Sequence, residues 1–129
     1  MNIIEEIREK ELRVTAIDEG DRIRVLWRGS SKDRNPSIYL NPFFERLLLF
    51  AKRSEKTTQS KKSIELDFTR LYYMNSSSIT PVVRLLHRAR DLGRPVTLFY
   101  DRSHHWQETC FSAMDVFESK EPEIRIVSV

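Results

Sequence analysis

Residues 64–100, "IELDFTRLYYMNSSSITPVVRLLHRARDLGRPVTLFY", carry one complete passage from strand to helix and back to strand. Ile64, Leu66 and Phe68 alternate with polar residues, the period of a strand with one buried face. Ile79, Val82, Val83, Leu86 and Ala89 recur at the helical period, and Gly93 is a natural stop. Val96 to Tyr100 is apolar enough to predict a strand buried on both faces. Pro81 has no N–H and clashes with the carbonyl four residues back, so it is expected in the first turn of its helix. That places the N-cap near Ser78 and leaves Asn75, Ser76 and Ser77 in the connection before it. One cap needs one hydroxyl, and here three stand in a row. The connection also leaves the C-terminal end of a strand, where open α/β sheets display their sites.

Upstream, Leu12, Val14 and Ala16 alternate with polar residues, "DEGD" (18–21) supplies turn residues, and Ile23, Val25 and Trp27 repeat the alternation. Together they predict an antiparallel hairpin. Residues 1–10 mix acids and bases around Ile3, Ile4 and Ile7, a spacing that suits a short surface helix or an N-terminal arm able to pack on another subunit. "RGSSKDRNPSIYLNP" (28–42) is loop-like, and Asn41-Pro42 is expected to start a helix carrying Phe43, Phe44, Leu47, Leu48 and Ala51. The polar run 52–63 is expected to end that helix as a flexible loop. A third helix is predicted over 103–119 and a last strand over 123–129. The order implies an α/β fold: an N-terminal β-hairpin, then alternating helices and strands forming one mixed sheet with helices packed on it. Residues 1–129 form one domain, because neither side of the 52–63 run could bury a core alone.

The chain has 129 residues with 40% hydrophobic and 32% charged, which excludes a disordered segment. A net charge of +3, its bases interleaved with acids, gives no reason to expect nucleic acid as the partner. Cys110 is the single cysteine, so an internal disulfide is excluded and a reducing cytoplasm is expected. No N-terminal apolar run resembles a secretory signal, and Leu47–Ala51 is far too short to span a bilayer, so no direct membrane contact is expected.

The 64–100 stretch resembles the core of a STAS domain, the fold of bacterial anti-sigma-factor antagonists. The matching parts are a strand ending in Asp67, the loop Asn75-Ser76-Ser77-Ser78, the amphipathic helix, and the re-entry Gly93-Arg94-Pro95-Val96. Asparagine stands where many family members have aspartate, and Ser78 where they have glycine. This Asn-hydroxyl cluster, with the upstream "GSSKDRNPSIYLNPFFERL", is most similar to the SiaC-like biofilm-regulator branch. The resemblance implies a non-enzymatic, phosphorylation-controlled switch with Ser76 as phosphoacceptor and Ser77 and Ser78 as caps or secondary acceptors. It implies a serine/threonine kinase of the anti-sigma type, a matching phosphatase, and alternatively a diguanylate cyclase as partners. Asp67 and Asn75 would belong to the switch loop, with Tyr72, Tyr73, Met74, Ile79 and Arg84 facing the partner. A homodimer is compatible with this reading.

Other chemistry is weaker. His104 and Glu108 share a helix face at i and i+4, but His105 points in another direction and Cys110 lies on another face, so no metal site is expected. Ser76, His87 and Asp67 could be assembled into a triad only on paper, and the chain has no GxSxG elbow. Three glycines cannot build a phosphate cradle, so no nucleotide loop and no cofactor is expected. Trp27, Phe43, Phe44 and Trp106 are expected in the core. Two other readings remain: a constitutive scaffold or oligomerisation domain whose serines only cap a helix, and a small-ligand STAS domain with an apolar cavity near Trp27, Tyr73 or Trp106.

Overall fold

The computed structural model describes residues 2–58 and 61–129. Eight strands form one sheet, with β1 (Asn2–Glu9), β2 (Leu12–Asp18), β3 (Arg22–Ser31), β4 (Ser63–Asp67), β6 (Val96–Tyr100), β8 (Glu123–Ser128) and β7 (Ser119–Lys120) in the order β1-β2-β3-β4-β6-β8-β7. The short strand β5 (Leu71–Met74) pairs with the far end of β3. The helices are α1 (Ser37–Thr58), α2 (Ser76–Asp91) and α3 (His105–Ser112), the last followed by a 3-10 segment at Ala113–Phe117. The first three strands are antiparallel; β3, β4, β6 and β8 run parallel. This is the expected mixed α/β sheet.

Alternation decides the layering. Ile23, Val25 and Trp27 on β3, Ile64 and Leu66 on β4, and Val96, Leu98 and Tyr100 on β6 are buried on one face. The helices cover that face: Phe44 of α1 lies 6.1 Å from Trp27, and Phe111 of α3 lies 4.7 Å from Phe68 and 5.8 Å from Tyr100. The intervening residues Arg24, Leu26, Arg28, Glu65, Asp67, Thr97 and Phe99 are exposed or half-buried, so the other face carries no helix. The expectation that 96–100 would be buried on both faces is corrected accordingly. Apolar Phe99 sits on the bare face, which its composition alone could not reveal.

Four further corrections follow from pairing and capping. Residues 2–9 are a strand, not a short helix or a loose arm: Ile7 packs opposite Val14, and an irregularity between Ile3 and Glu5 absorbs Ile4. A spacing of four residues fits a strand face as well as a helix face, and the unpaired edge of β2 selects the strand. β3 continues through Ser31, well into the stretch expected to be a loop. Gly29 permits this, since its φ is +83° and a Cβ there would sit 1.8 Å from the Glu11 carbonyl oxygen.

α1 starts at Ser37 and runs to Thr58, so it begins before Pro42 and absorbs most of the run expected to be flexible. Glu55 in that run receives both guanidinium arms of the buried Arg94 (2.7 and 2.8 Å), which also donates to the Lys62 carbonyl at 2.9 Å. The remainder of the expected loop includes residues 59–60, which lie outside the described residues. Finally, α2 begins at Ser76 with Asn75 as its N-cap, three residues before the cap expected at Ser78. Pro42 and Pro81 each occupy the sixth residue of their helix, and each removes one bond to the second residue, Ile38 or Ser77. Ile38 is exposed and Ser77 half-buried, so the freed carbonyls can turn to water.

Candidate functional site

The serine cluster is the first turn of α2, and its backbone is fixed by four elements meeting there. β4 ends at Asp67, and a tight turn brings Leu71 N–H to the Phe68 carbonyl at 3.0 Å. β5 then runs beside the end of β3, pairing Ser30 with Tyr73 and Ser31 with Met74. The fully buried Gln107 of α3 holds this approach: its amide donates to the carbonyls of Phe68 (2.8 Å) and Leu71 (3.0 Å) and its oxygen accepts from Asp101 N–H (2.8 Å). The chain therefore enters the cluster along a rigid path.

Asn75 then performs three tasks. Its N–H donates to the Ser31 carbonyl at 3.0 Å; its Oδ1 accepts from Ser78 N–H at 3.0 Å and Ser78 Oγ at 2.6 Å; its Nδ2 donates to the Asp33 carbonyl at 2.8 Å. Ser78 Oγ also lies 2.6 Å from Ser31 Oγ. Because Oδ1 only accepts, Ser78 gives it its one proton and accepts the proton of Ser31. An aspartate at position 75 would cap the helix but could not donate to Asp33. Asparagine is thus the residue this junction requires.

Asp33 in turn binds Lys10 and accepts from Tyr39 Oη at 2.7 Å. The Lys10 ammonium is the leading cause of an Asp33 carboxyl held below its usual range, with Tyr39 second. Burial, then Asp33, pushes the Tyr39 phenol far up. The cap, the β3–α1 connection and the β1–β2 turn form one connected polar network.

The three serines differ sharply within it. Ser76 is exposed, Ser77 is half-buried, and Ser78 is fully buried with its hydroxyl in the Asn75–Ser31 chain. Neither Ser76 nor Ser77 has a side-chain hydrogen bond among the described residues, and no acidic residue occupies the first turn of α2. A helix N-terminus with free N–H groups and no acid tolerates added negative charge.

Tyr72 is 76% exposed and Tyr73 42%, the latter with its ring 6.2 Å from Trp106. Met74 is buried in the core and Ile79 is half-buried against it, while Arg84 is exposed further along α2. Asp67 is a strand residue on the bare side of the sheet, away from the cluster. Burial raises its carboxyl, but the bonds from Thr69 N–H (2.9 Å), Thr69 Oγ1 (2.6 Å) and Arg24 (3.2 Å) outweigh that and hold it below the usual range.

Other candidate groups do not converge. His87 is eleven residues along α2 from Ser76, about 16 Å at 1.5 Å per residue, and lies against Phe117. His104 is bound to Asp101 at 3.1 Å, and burial pushes the Cys110 thiol up. No group of three or more His, Cys, Asp or Glu side chains among the described residues could hold a metal ion. No described helix is long and apolar enough to cross a membrane.

A mixed sheet with all its helices on one face and a strand-loop-helix junction at its rim has counterparts among solved structures. A chain of the crystal structure of the diguanylate cyclase SiaD in complex with its activator SiaC, from Pseudomonas aeruginosa, is 23% identical, with 95% of this chain and 99% of that chain covered and a TM-score of 0.57. SiaC of Pseudomonas aeruginosa is 24% identical over the full length of both chains, with a TM-score of 0.55. A DUF3478 protein of Shewanella loihica PV-4, described as having a SpoIIAA-like fold, is 11% identical over 94% of this chain and 88% of its own, with a TM-score of 0.52. This chain has a SpoIIAA-like fold. No family model and no curated protein matches it. The STAS-like resemblance of residues 64–100 is accordingly carried by the backbone of the whole chain, and at this identity it is a likeness of fold.

Sequence reasoning missed Ser31, Asp33 and Gln107. Ser31 and Asp33 are hidden in a stretch rich in loop-forming residues, and only Gly29 hints at a strand passing through. Gln107 left a clearer signal, a single amide between Trp106 and Phe111 on an otherwise apolar helix side.

Proposed function

We propose that this chain is a non-enzymatic bacterial signalling module whose unmodified surface around Ser76 binds a protein partner and whose phosphorylated form releases it. The observation that carries this reading is the Ser76 hydroxyl: exposed, without a side-chain hydrogen bond among the described residues, and flanked by Asn75 and Ser78, whose side chains are both hydrogen-bonded. Ser76 is the phosphoacceptor and Ser77 the secondary one. Ser78, buried and committed to Asn75 and Ser31, serves the structure.

A phosphate would add a charge of about −1.5 to −2 at the helix N-terminus, where the protein accepts it without unfolding. The same charge and bulk beside Tyr72 and Tyr73 would disrupt a complementary surface docked there. Exposed tyrosines suit such an interface, since they bring large contact area with a polar tip. Ile79 and Arg84 extend the surface along α2.

The partner is a signalling protein: a diguanylate cyclase, or a serine/threonine kinase of the anti-sigma type with its phosphatase. SiaC is described as the activator of the diguanylate cyclase SiaD and is found in complex with it, which favours the cyclase. A cytoplasmic location suits both partners and the single free Cys110.

The test compares partner affinity of Ser76→Ala and Ser76→Asp. Ser76→Ala retains the complex and Ser76→Asp weakens it by at least about tenfold, the scale of one uncompensated interfacial charge. Equal affinity of the two variants rejects the switch.

A further inference from the structure

The bare face of the sheet concentrates positive charge in a fixed arrangement. Register places Arg8 opposite Arg13 and Arg13 opposite Arg28, a row of arginines on three adjacent strands spaced about 4.8 Å apart. Each alternates with a buried neighbour, Ile7, Leu12 or Trp27, so all three lie on the side away from the helices. Like charges directly opposite one another destabilise a sheet. Arg8 is paired with Glu6 at 2.8 Å, whereas Arg13 and Arg28 make no ion pair among the described residues.

Beside Arg28 the face is concave, with a cavity of about 300 Å³ lined by Arg24, Arg28, Arg70, Asp67 and Thr69. Its one carboxylate is already satisfied: Asp67 is bound by Thr69 and by Arg24 at 3.2 Å. Arg70 is exposed and, like Arg28, has no ion pair among the described residues. Two free guanidinium groups therefore meet in one hollow, with a third, Arg13, one strand away.

We propose that this hollow binds a small, multiply charged phosphate ester of diphosphate size and charge. Arg28 and Arg70 hold the phosphates through their paired N–H donors, a geometry that guanidinium groups match better than ammonium groups do. Arg13 supplies the outer charge. A concave volume near the lower limit of small-ligand sites favours a compact ligand over a polymer lying across the sheet. The proposal does not depend on the phosphorylation of Ser76, which lies at the rim of the covered side.

The test is calorimetric titration of the full chain at low salt with inorganic pyrophosphate, with ADP, and with a short single-stranded oligonucleotide. Pyrophosphate and ADP are expected to bind saturably, and the Arg28→Ala/Arg70→Ala double variant to lose at least about tenfold in affinity. Arg90→Ala, an exposed arginine on α2, should bind as the unmodified chain does. Absence of saturable binding, or equal binding by the double variant, overturns the proposal. So does tighter binding of the oligonucleotide with a steep salt dependence, which would mark a polyanion surface instead.

Discussion

Asn75 joins Asp33 to Ser78 across 42 and 3 residues of sequence, donating to the carbonyl of one at 2.8 Å and accepting from the hydroxyl of the other at 2.6 Å. One side chain thus caps α2 and fastens it to the β3–α1 connection. The backbone that carries the exposed Ser76 hydroxyl is held in place by this pair of hydrogen bonds.

Replacing Asn75 by aspartate separates the two tasks. The carboxylate still accepts from Ser78, but an acceptor now faces the Asp33 carbonyl, and a donor is lost. Asn75→Asp should lower stability by about 1–3 kcal/mol, measured by urea unfolding, although aspartate is an excellent N-cap in general. A variant as stable as the native chain would show that the bond to Asp33 contributes nothing.

The serines should separate by burial. Ser78→Ala removes a buried hydroxyl and leaves Ser31 without its acceptor, so it should cost about 1–2 kcal/mol. Ser76→Ala should be neutral within about 0.5 kcal/mol, since Ser76 is exposed and its side chain makes no hydrogen bond among the described residues. Ser76→Asp places a negative charge in a first turn that holds no acid and should add about 0.3–1 kcal/mol. These three unfolding midpoints also show whether any loss of partner binding by Ser76→Asp could come from unfolding.

Gln107 should behave as a structural keystone rather than a binding residue. Gln107→Leu fills the space but removes the donor to the Leu71 carbonyl, one of the two donors to the Phe68 carbonyl, and the acceptor of Asp101 N–H, so a loss of about 1–3 kcal/mol is expected. The accompanying readout is proteolysis at 69–74, which should accelerate as the approach to the cluster loosens.

Acid should weaken the fold in a defined window. Asp18, Glu55 and Asp67 all have carboxyls lowered from ordinary values of 3.8 to 4.5. For Asp18, burial acts upward but the bonds from Lys62 and Gly20 outweigh it; for Glu55 the Arg94 bond leads. A depressed folded-state value contributes stability above the unfolded value, and that contribution is lost as pH falls through the folded value. The urea midpoint should therefore change little on this account between pH 7 and about pH 5, then drop progressively below about pH 4.5.

Much of the sheet was legible because Ile23-Val25-Trp27 and Ile64-Leu66-Phe68 alternate cleanly, and the hairpin between β2 and β3 announced itself through Asp18–Asp21. β1 was not, since Ile3 and Ile7 fit two periods and only tertiary pairing chooses between them. Pro81 gave a misleading helix start, because a proline at the sixth position is tolerated when the carbonyl it frees can reach water. The importance of Ser76 to Ser78 was visible as an excess of hydroxyls. Their division into exposed and buried members was not, for it depends on Ser31, 47 residues away. The arginine row was equally hidden, because Arg8, Arg13 and Arg28 converge only through register.

The central claim is tested most directly by peptide mass spectrometry of the chain purified from its own cells. The account predicts a phosphate on Ser76, with Ser78 bare. A phosphate on Ser78, or on Ser77 with Ser76 always unmodified, would contradict it.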